Sequence, residues 1–179
     1  MPKLSLVEQA TFLAETPGFI MDIATLDAEG GPHLCPIWFL YEEGRIWFTP
    51  RQHSTWLVHL RREPRVALCI DEPVTPYRKV IVRGPAEIVH EIGHDDLWRD
   101  RYRRIAGRYL PDHDASAYVD GTDDQPRALC SVTLAQAEVR TWRMPVGTEP
   151  YDGIWAKRYW TTDAKVHQAA PELFSQSRE

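Results

Sequence analysis

Apolar and polar positions along the chain fall into short stretches whose period switches between the helical and the extended one. Ser5 to Ala14 has apolar residues at helical spacing behind Ser5, with Glu8 three residues on, the signature of a capping box, so a short helix is expected there. Pro17-Gly18 ends it, and Phe19 to Leu26 reads as a strand closed by the turn Asp27 to Gly31. His33 to Tyr41 then reads as its hairpin partner, and a turn at Glu42 to Gly44 leads to a third strand, Arg45 to Thr49. The run His53 to Arg62 places Trp56, Leu57 and Leu60 on one helical face, and Pro64 stops it.

Val66 to Ile70 and Lys79 to Val89 are two further strands, the second long and bent at Gly84-Pro85, with the loop Asp71 to Pro76 between them. From Asp95 to Tyr109 the period becomes helical again, with Leu97, Trp98, Tyr102, Ile105 and Tyr109 along one stripe. Asp112 to Gln125 is a polar stretch without a clear period. Ala128 to Leu134 and Ala137 to Trp142 are the last strands, and an irregular aromatic tail follows Met144. About six short strands in meander order, with helices added, predict a mainly β chain closed into an antiparallel barrel.

Composition narrows this picture. A chain of 179 residues, 43% hydrophobic and 26% charged, fits a single domain spanning 1–179, with a core over about 17–143 and a tail over 144–179. The net charge of −5 offers no basic surface for nucleic acid, and no apolar run reaches membrane-spanning length. Cys35, Cys69 and Cys130 are scattered, and the start Met1-Pro2-Lys3 lacks the layout of a signal peptide, so a reduced, cytoplasmic protein is expected. Arginine outnumbers lysine 17 to 4, which favours a planar guanidinium fork wherever a phosphate must be gripped.

Two motifs carry chemistry. His90-Glu91-Ile92-Gly93-His94 satisfies the pattern of a zinc hydrolase, in which two imidazoles one helical turn apart share a metal and the Glu serves as base. That chemistry needs a helix, whereas the preceding residues read as strand and Gly93 as a turn, so the expected site holds no metal. The second motif, Thr49 to Arg62, is a strand running into a polar turn and then a helix. Backbone N–H groups at a helix start attract anions, and Arg51, Ser54 and Thr55 add donors suited to a phosphate. A plain N-capped connecting helix would use Ser54 equally well.

The second segment resembles the pyridoxamine 5'-phosphate oxidase-like split barrels, whose phosphate turn leads into a helix closing in Leu-Arg-Arg-acid-Pro-Arg-Val, as Leu60 to Val66 do here. The resemblance extends through Pro36-Ile37-Trp38-Phe39, Tyr77 to Glu87 with Gly84-x-Ala86-Glu87, Arg108-Tyr109-Leu110 and Trp142. It implies a six-stranded Greek-key-like split barrel, a homodimer, and FMN or the deazaflavin coenzyme F-420 held between subunits. Thr49, Arg51, Ser54 and Thr55 would then cradle the cofactor phosphate, Lys79 would make a polar contact, and Pro36, Ile37 and Trp38 would lie beside the ring. Trp142 would reach the cofactor of the partner subunit. One departure stands out: where the family has Lys at the helix start this chain has Trp56, leaving Lys79, Arg51 or Arg78 to supply the charge.

A flavin carries its own hydride chemistry, so the protein need only bind, orient and exclude water, and no catalytic acid or base is named. The expected activity is hydride transfer to or from a small organic substrate. The alternative, motivated by Trp56, is a non-catalytic module holding flavin or haem on the same barrel.

Overall fold

The computed structural model describes residues 2–150, so most of the aromatic tail, with Trp155, Tyr159 and Trp160, lies outside the described residues. The capping box is present: Ser5 Oγ accepts from Glu8 N–H, and Glu8 accepts from Ser5 N–H at 2.7 Å, opening α1 (Leu6–Ala14). Phe12 and Leu13 on its inner face are fully buried.

Among the described residues nine strands follow, in two antiparallel sheets. The first has the order β2-β1-β5-β6-β9, built from β2 (Pro32–Ile37), β1 (Met21–Leu26), β5 (Arg65–Asp71), β6 (Lys79–Pro85) and β9 (Glu138–Trp142). The second has the order β3-β4-β8-β7, built from β3 (Leu40–Glu42), β4 (Arg45–Phe48), β8 (Leu129–Thr133) and β7 (Glu87–His90). Met21 and Ile23 of β1, Leu68 and Ile70 of β5, and Val80 and Val82 of β6 point into a core shared with Ile46, Phe48 and Val132 of the second sheet. α2 (Thr55–Arg62) adds Leu57 and Leu60 to that core.

The expected strand count is corrected because two long runs each serve both sheets. The run His33 to Tyr41 breaks at Trp38-Phe39, where β2 leaves the first sheet and β3 enters the second. There the Phe39 backbone is satisfied by side chains: its N–H donates to Tyr109 Oη at 3.1 Å, and its carbonyl accepts from Arg108 Nη1 at 2.7 Å. The run Lys79 to Val89 breaks at Ala86, whose N–H donates to the Pro64 carbonyl at 2.7 Å. Just before the break, Gly84 lets Ala137 approach the strand, since a Cβ there would stand 2.9 Å from that of Ala137. The last two strands likewise part company: a 3-10 turn over Leu134–Gln136 sends β8 and β9 into different sheets.

The expected helix Asp95 to Tyr109 is a 3-10 turn, Asp95–Leu97, followed by α3 (Arg99–Gly107). Leu97 is exposed rather than part of the stripe, while Trp98, Tyr102 and Ile105 are buried. The polar stretch contains α4 (Asp112–Asp120), unforeseen because its apolar contribution is little more than Ala115 and Val119. α3 and α4 cover the outer side of the second sheet, closing a second cluster around Trp47, Trp98, Tyr102 and Leu129. The three cysteines are free thiols, and no helix among the described residues is long and apolar enough to cross a membrane.

Candidate functional site

The crossover at Trp38-Phe39, the end of β4 and the start of α2 surround a groove of about 600 Å³. Pro36, Ile37 and Trp38 form one wall and Thr49, Arg51 and Ser54 the polar end, so six of the nine expected site residues meet there. Thr55 is the exposed first residue of α2 and is not among the lining residues. Ser54 stands at the N-cap position, yet its hydroxyl accepts the Arg51 N–H at 3.1 Å instead of capping the helix, which tightens the turn and leaves the helix start open.

Lys79 and Trp142 are elsewhere. They are cross-strand partners on β6 and β9 and line a separate hollow of about 310 Å³ with Asp71 and Tyr77. Lys79 Nζ is 5.1 Å from the Trp142 ring centroid and 3.9 Å from Asp71 Oδ2. Ile37, Met21, Ile70, Val80 and Thr141 stand in one row across the first sheet. At roughly 4.8 Å per strand, the β6 and β9 positions are about 14 and 19 Å along that row from β2.

Among the lining residues that were not expected, three bear a hydroxyl or guanidinium group. Tyr102 of α3, Tyr118 of α4 and Arg127, just before β8, form the side facing the Thr49 to Ser54 turn. Trp38 stacks on Tyr109 at 5.1 Å with an interplanar angle of 5°, and its ring centroid is 5.3 Å from that of Tyr118. Arg51 Nη2 donates to Tyr118 Oη at 3.1 Å. Burial alone would raise the Tyr118 phenol, but the Tyr102 hydroxyl and the charges of Arg127 and Arg51 outweigh it and hold it below the ordinary phenol pKa. Trp56 fills the position where a lysine was expected and is buried, with its ring centroid 6.0 Å from that of Phe48, so it gives the groove an apolar floor.

Of the three arginine or lysine candidates for the missing charge, Arg51 alone lines the groove. Lys79 is on the distant strand, and Arg78 is bound to Glu15 and Glu72. Arg127 supplies a cation that no sequence motif marked: it is 7% exposed, it donates through Nη1 to the Thr49 carbonyl at 3.2 Å, and its Nε is buried without a hydrogen-bond partner among the described residues. Burial depresses its pKa, and the charge of Arg51 beside it does so further, although a guanidinium stays protonated throughout the working range. Two guanidiniums, the hydroxyls of Thr49 and Ser54, an open helix start and aromatic walls together fit a flat ring bearing a phosphate.

The His90 to His94 string does not form a zinc site of the helical kind. His90 ends β7, Gly93 turns the chain at φ 92°, and His94 precedes the 3-10 turn. Glu91, the would-be base, is engaged elsewhere: its carboxylate accepts from Arg61 Nη2 at 2.6 Å, which lowers its pKa.

The family model for pyridoxamine 5'-phosphate oxidase matches residues 8–142. The chain belongs to the pyridoxamine 5'-phosphate oxidase family. The match takes in both walls of the groove, the Thr49 to Ser54 turn and the helices α3 and α4. Solved structures share the fold. A conserved hypothetical protein from Mycobacterium tuberculosis is 24% identical at a TM-score of 0.60, over 82% of this chain and 94% of its own. A FAD-binding protein from Mesorhizobium loti is 19% identical at 0.55, over 78% and 95%. The haem storage protein from Vibrio cholerae is 17% identical at 0.57, over 75% and 94%. No curated protein matches the chain.

Proposed function

We propose that the chain is an oxidoreductase that binds FMN, or the deazaflavin coenzyme F-420, in this groove and passes hydride to or from a small organic substrate. The observation that carries the reading is the convergence of the Thr49 to Ser54 turn with the Pro36 to Trp38 wall on one groove. When bound, the ring supplies the hydride chemistry. The chain's own residues do the rest. Arg51 and Ser54 hold the phosphate, Trp38 and Ile37 flank the ring, and Trp56, Tyr102 and Ile105 keep water from the floor.

The assembly we propose is a split-barrel homodimer. Lys79 and Trp142 are three and four strands away from the groove wall of their own chain, too far to touch the same ring, so they serve the groove of a second copy. The outer face of the first sheet supports this, with an apolar hollow of about 500 Å³ lined by Ala24, Leu26, Pro32 and Ala67 between Arg65 and Arg83. Light scattering of the purified protein should give twice the chain's 20.7 kDa, and a monomer at cofactor-saturating concentration would remove Lys79 and Trp142 from the site.

A non-catalytic carrier is the second reading, and the specific observation for it is Trp56 in place of lysine. The FAD-binding and haem storage proteins of the same fold show that the fold also suits binders. Among the described residues no histidine lines the groove, which favours flavin over haem. Titration with FMN and the deazaflavin coenzyme, followed by absorbance, should show saturation at one per chain, and Arg51→Ala and Ser54→Ala should each weaken it roughly 10- to 100-fold. Unchanged affinity in both variants would remove the phosphate site. Bound cofactor that no nicotinamide or substrate reduces would favour the carrier.

A further inference from the structure

We propose that Arg127 replaces the cation absent at Trp56 and, with Arg51, clamps a terminal phosphate monoester, the doubly charged end of FMN, against the start of α2. The inference rests on the flavin reading above and names the ligand end that the groove is built to take.

The two arginines are brought together by backbone pairing, not by chance of rotamer. Arg51 and Arg127 form an isolated antiparallel bridge, with Gln52 N–H donating to the Pro126 carbonyl at 2.9 Å and Ala128 N–H to the Pro50 carbonyl at 3.0 Å. Both side chains line the groove. Each is held from the helical arm: Arg127 by Asp95 Oδ2, which accepts its backbone N–H at 2.7 Å, and Arg51 by Tyr118 Oη. The Arg127 guanidinium lies 4.5 Å from the Tyr102 ring centroid, a face that tolerates a cation without neutralising it.

Neither guanidinium forms an ion pair with a carboxylate among the described residues. Two like charges held side by side, one of them buried, repel each other, and a buried guanidinium with an unpartnered Nε is costly unless an anion meets it. A phosphate monoester carries about −1.5 to −2 charge near neutral pH and has three acceptor oxygens, which balances two guanidiniums. A phosphodiester, with a single charge and two free oxygens, leaves one guanidinium uncompensated. Riboflavin, with none, leaves both.

Titration calorimetry on the full chain with FMN, riboflavin and the deazaflavin coenzyme tests this, using wild type, Arg127→Met, Arg127→Lys and Arg51→Met, each checked by its melting curve. FMN should bind roughly 100-fold more tightly than riboflavin. Arg127→Met should remove most of that margin while leaving riboflavin within about twofold, and Arg127→Lys should restore part of it. FMN binding equally to wild type and Arg127→Met overturns the clamp and leaves the flavin reading standing. Deazaflavin coenzyme binding more tightly than FMN overturns the monoester. If Arg127→Met does not fold, Arg127→Lys and the exposed Arg51→Met carry the test, and an undiminished FMN margin in both overturns it. If no flavin binds wild type, the flavin reading fails, and inorganic pyrophosphate then probes the clamp by thermal shift. Stabilisation of wild type that Arg127→Lys and Arg51→Met lose supports it, and no difference overturns it.

Discussion

Arg78→Met lowers the stability of the fold by about 3–5 kcal/mol, the range for breaking a buried ion pair from one side. Arg78 leaves β5–β6 at their loop and ties it to α1. Its Nε donates to Glu72 Oε2 at 2.9 Å, its Nη groups donate to Glu15, and its guanidinium lies 4.7 Å from the Phe12 ring centroid. Glu72 is 3% exposed, so the variant leaves a carboxylate buried with no cation beside it. Urea unfolding measures the loss, and a variant within about 1 kcal/mol of wild type would show that water or rearrangement replaces Arg78.

The pH dependence of the same pair is sharper. Burial pushes Glu72 up, but the hydrogen bonds and charge of Arg78 outweigh it and hold the carboxyl below its ordinary value. A carboxylate whose folded pKa is depressed stabilises the fold above the unfolded pKa, and that contribution is lost as pH falls through the folded value. Wild type should therefore lose stability from this group only in acid, below about pH 4. In Arg78→Met the guanidinium is gone and only the backbone N–H of residue 78, 2.9 Å from Glu72 Oε1, still opposes burial, the largest influence, so the folded Glu72 binds its proton more tightly than the unfolded chain does and the slope reverses. Between about pH 4 and 7 the variant should lose stability as pH rises. Arg78→Met combined with Glu72→Gln should abolish that slope.

Arg108→Met has the second largest effect, roughly 2–4 kcal/mol, because three carbonyls lose a charge-assisted donor at once. Nη1 donates to Phe39 O at 2.7 Å, and Nη2 donates to Leu13 O at 2.8 Å and Glu15 O at 2.9 Å. One guanidinium thus joins the end of α1, the strand crossover and the end of α3. Burial depresses its pKa, so removing the charge returns part of that desolvation cost, which keeps the net effect below the sum of three bonds. The crossover also carries Trp38 into the groove, so cofactor affinity should fall with stability. Arg108→Lys should recover little, since an ammonium cannot reach three carbonyls spread over the end of α1 and the crossover. Equal near-ultraviolet tryptophan signals and equal flavin affinity in Arg108→Met would show that the crossover holds without it.

Much of the architecture is local, and those parts are legible in the residues themselves. Ser5 and Glu8 are three apart and Met21, Ile23 and Thr25 alternate, so α1 and β1 carry their own instructions. The turn from Thr49 to Ser54 is likewise a short-range arrangement of donors ahead of a helix. The helix α4 was not legible, since Ala115 and Val119 offer too narrow an apolar face to register against its polar residues.

By itself, then, the sequence determined most of the strands and helices, the family, and the donor-rich turn from Thr49 to Ser54 ahead of α2. Only the tertiary structure decided where a run such as His33 to Tyr41 changes sheets, because that depends on the partners Tyr109 and Arg108, some 70 residues away. It alone brought Arg127 to Thr49 across 78 positions of chain, and it alone moved Lys79 and Trp142 to the far side of the sheet. Periodicity reports which side of an element is buried. It carries no record of which distant element does the burying, and a cation's role depends on what it faces.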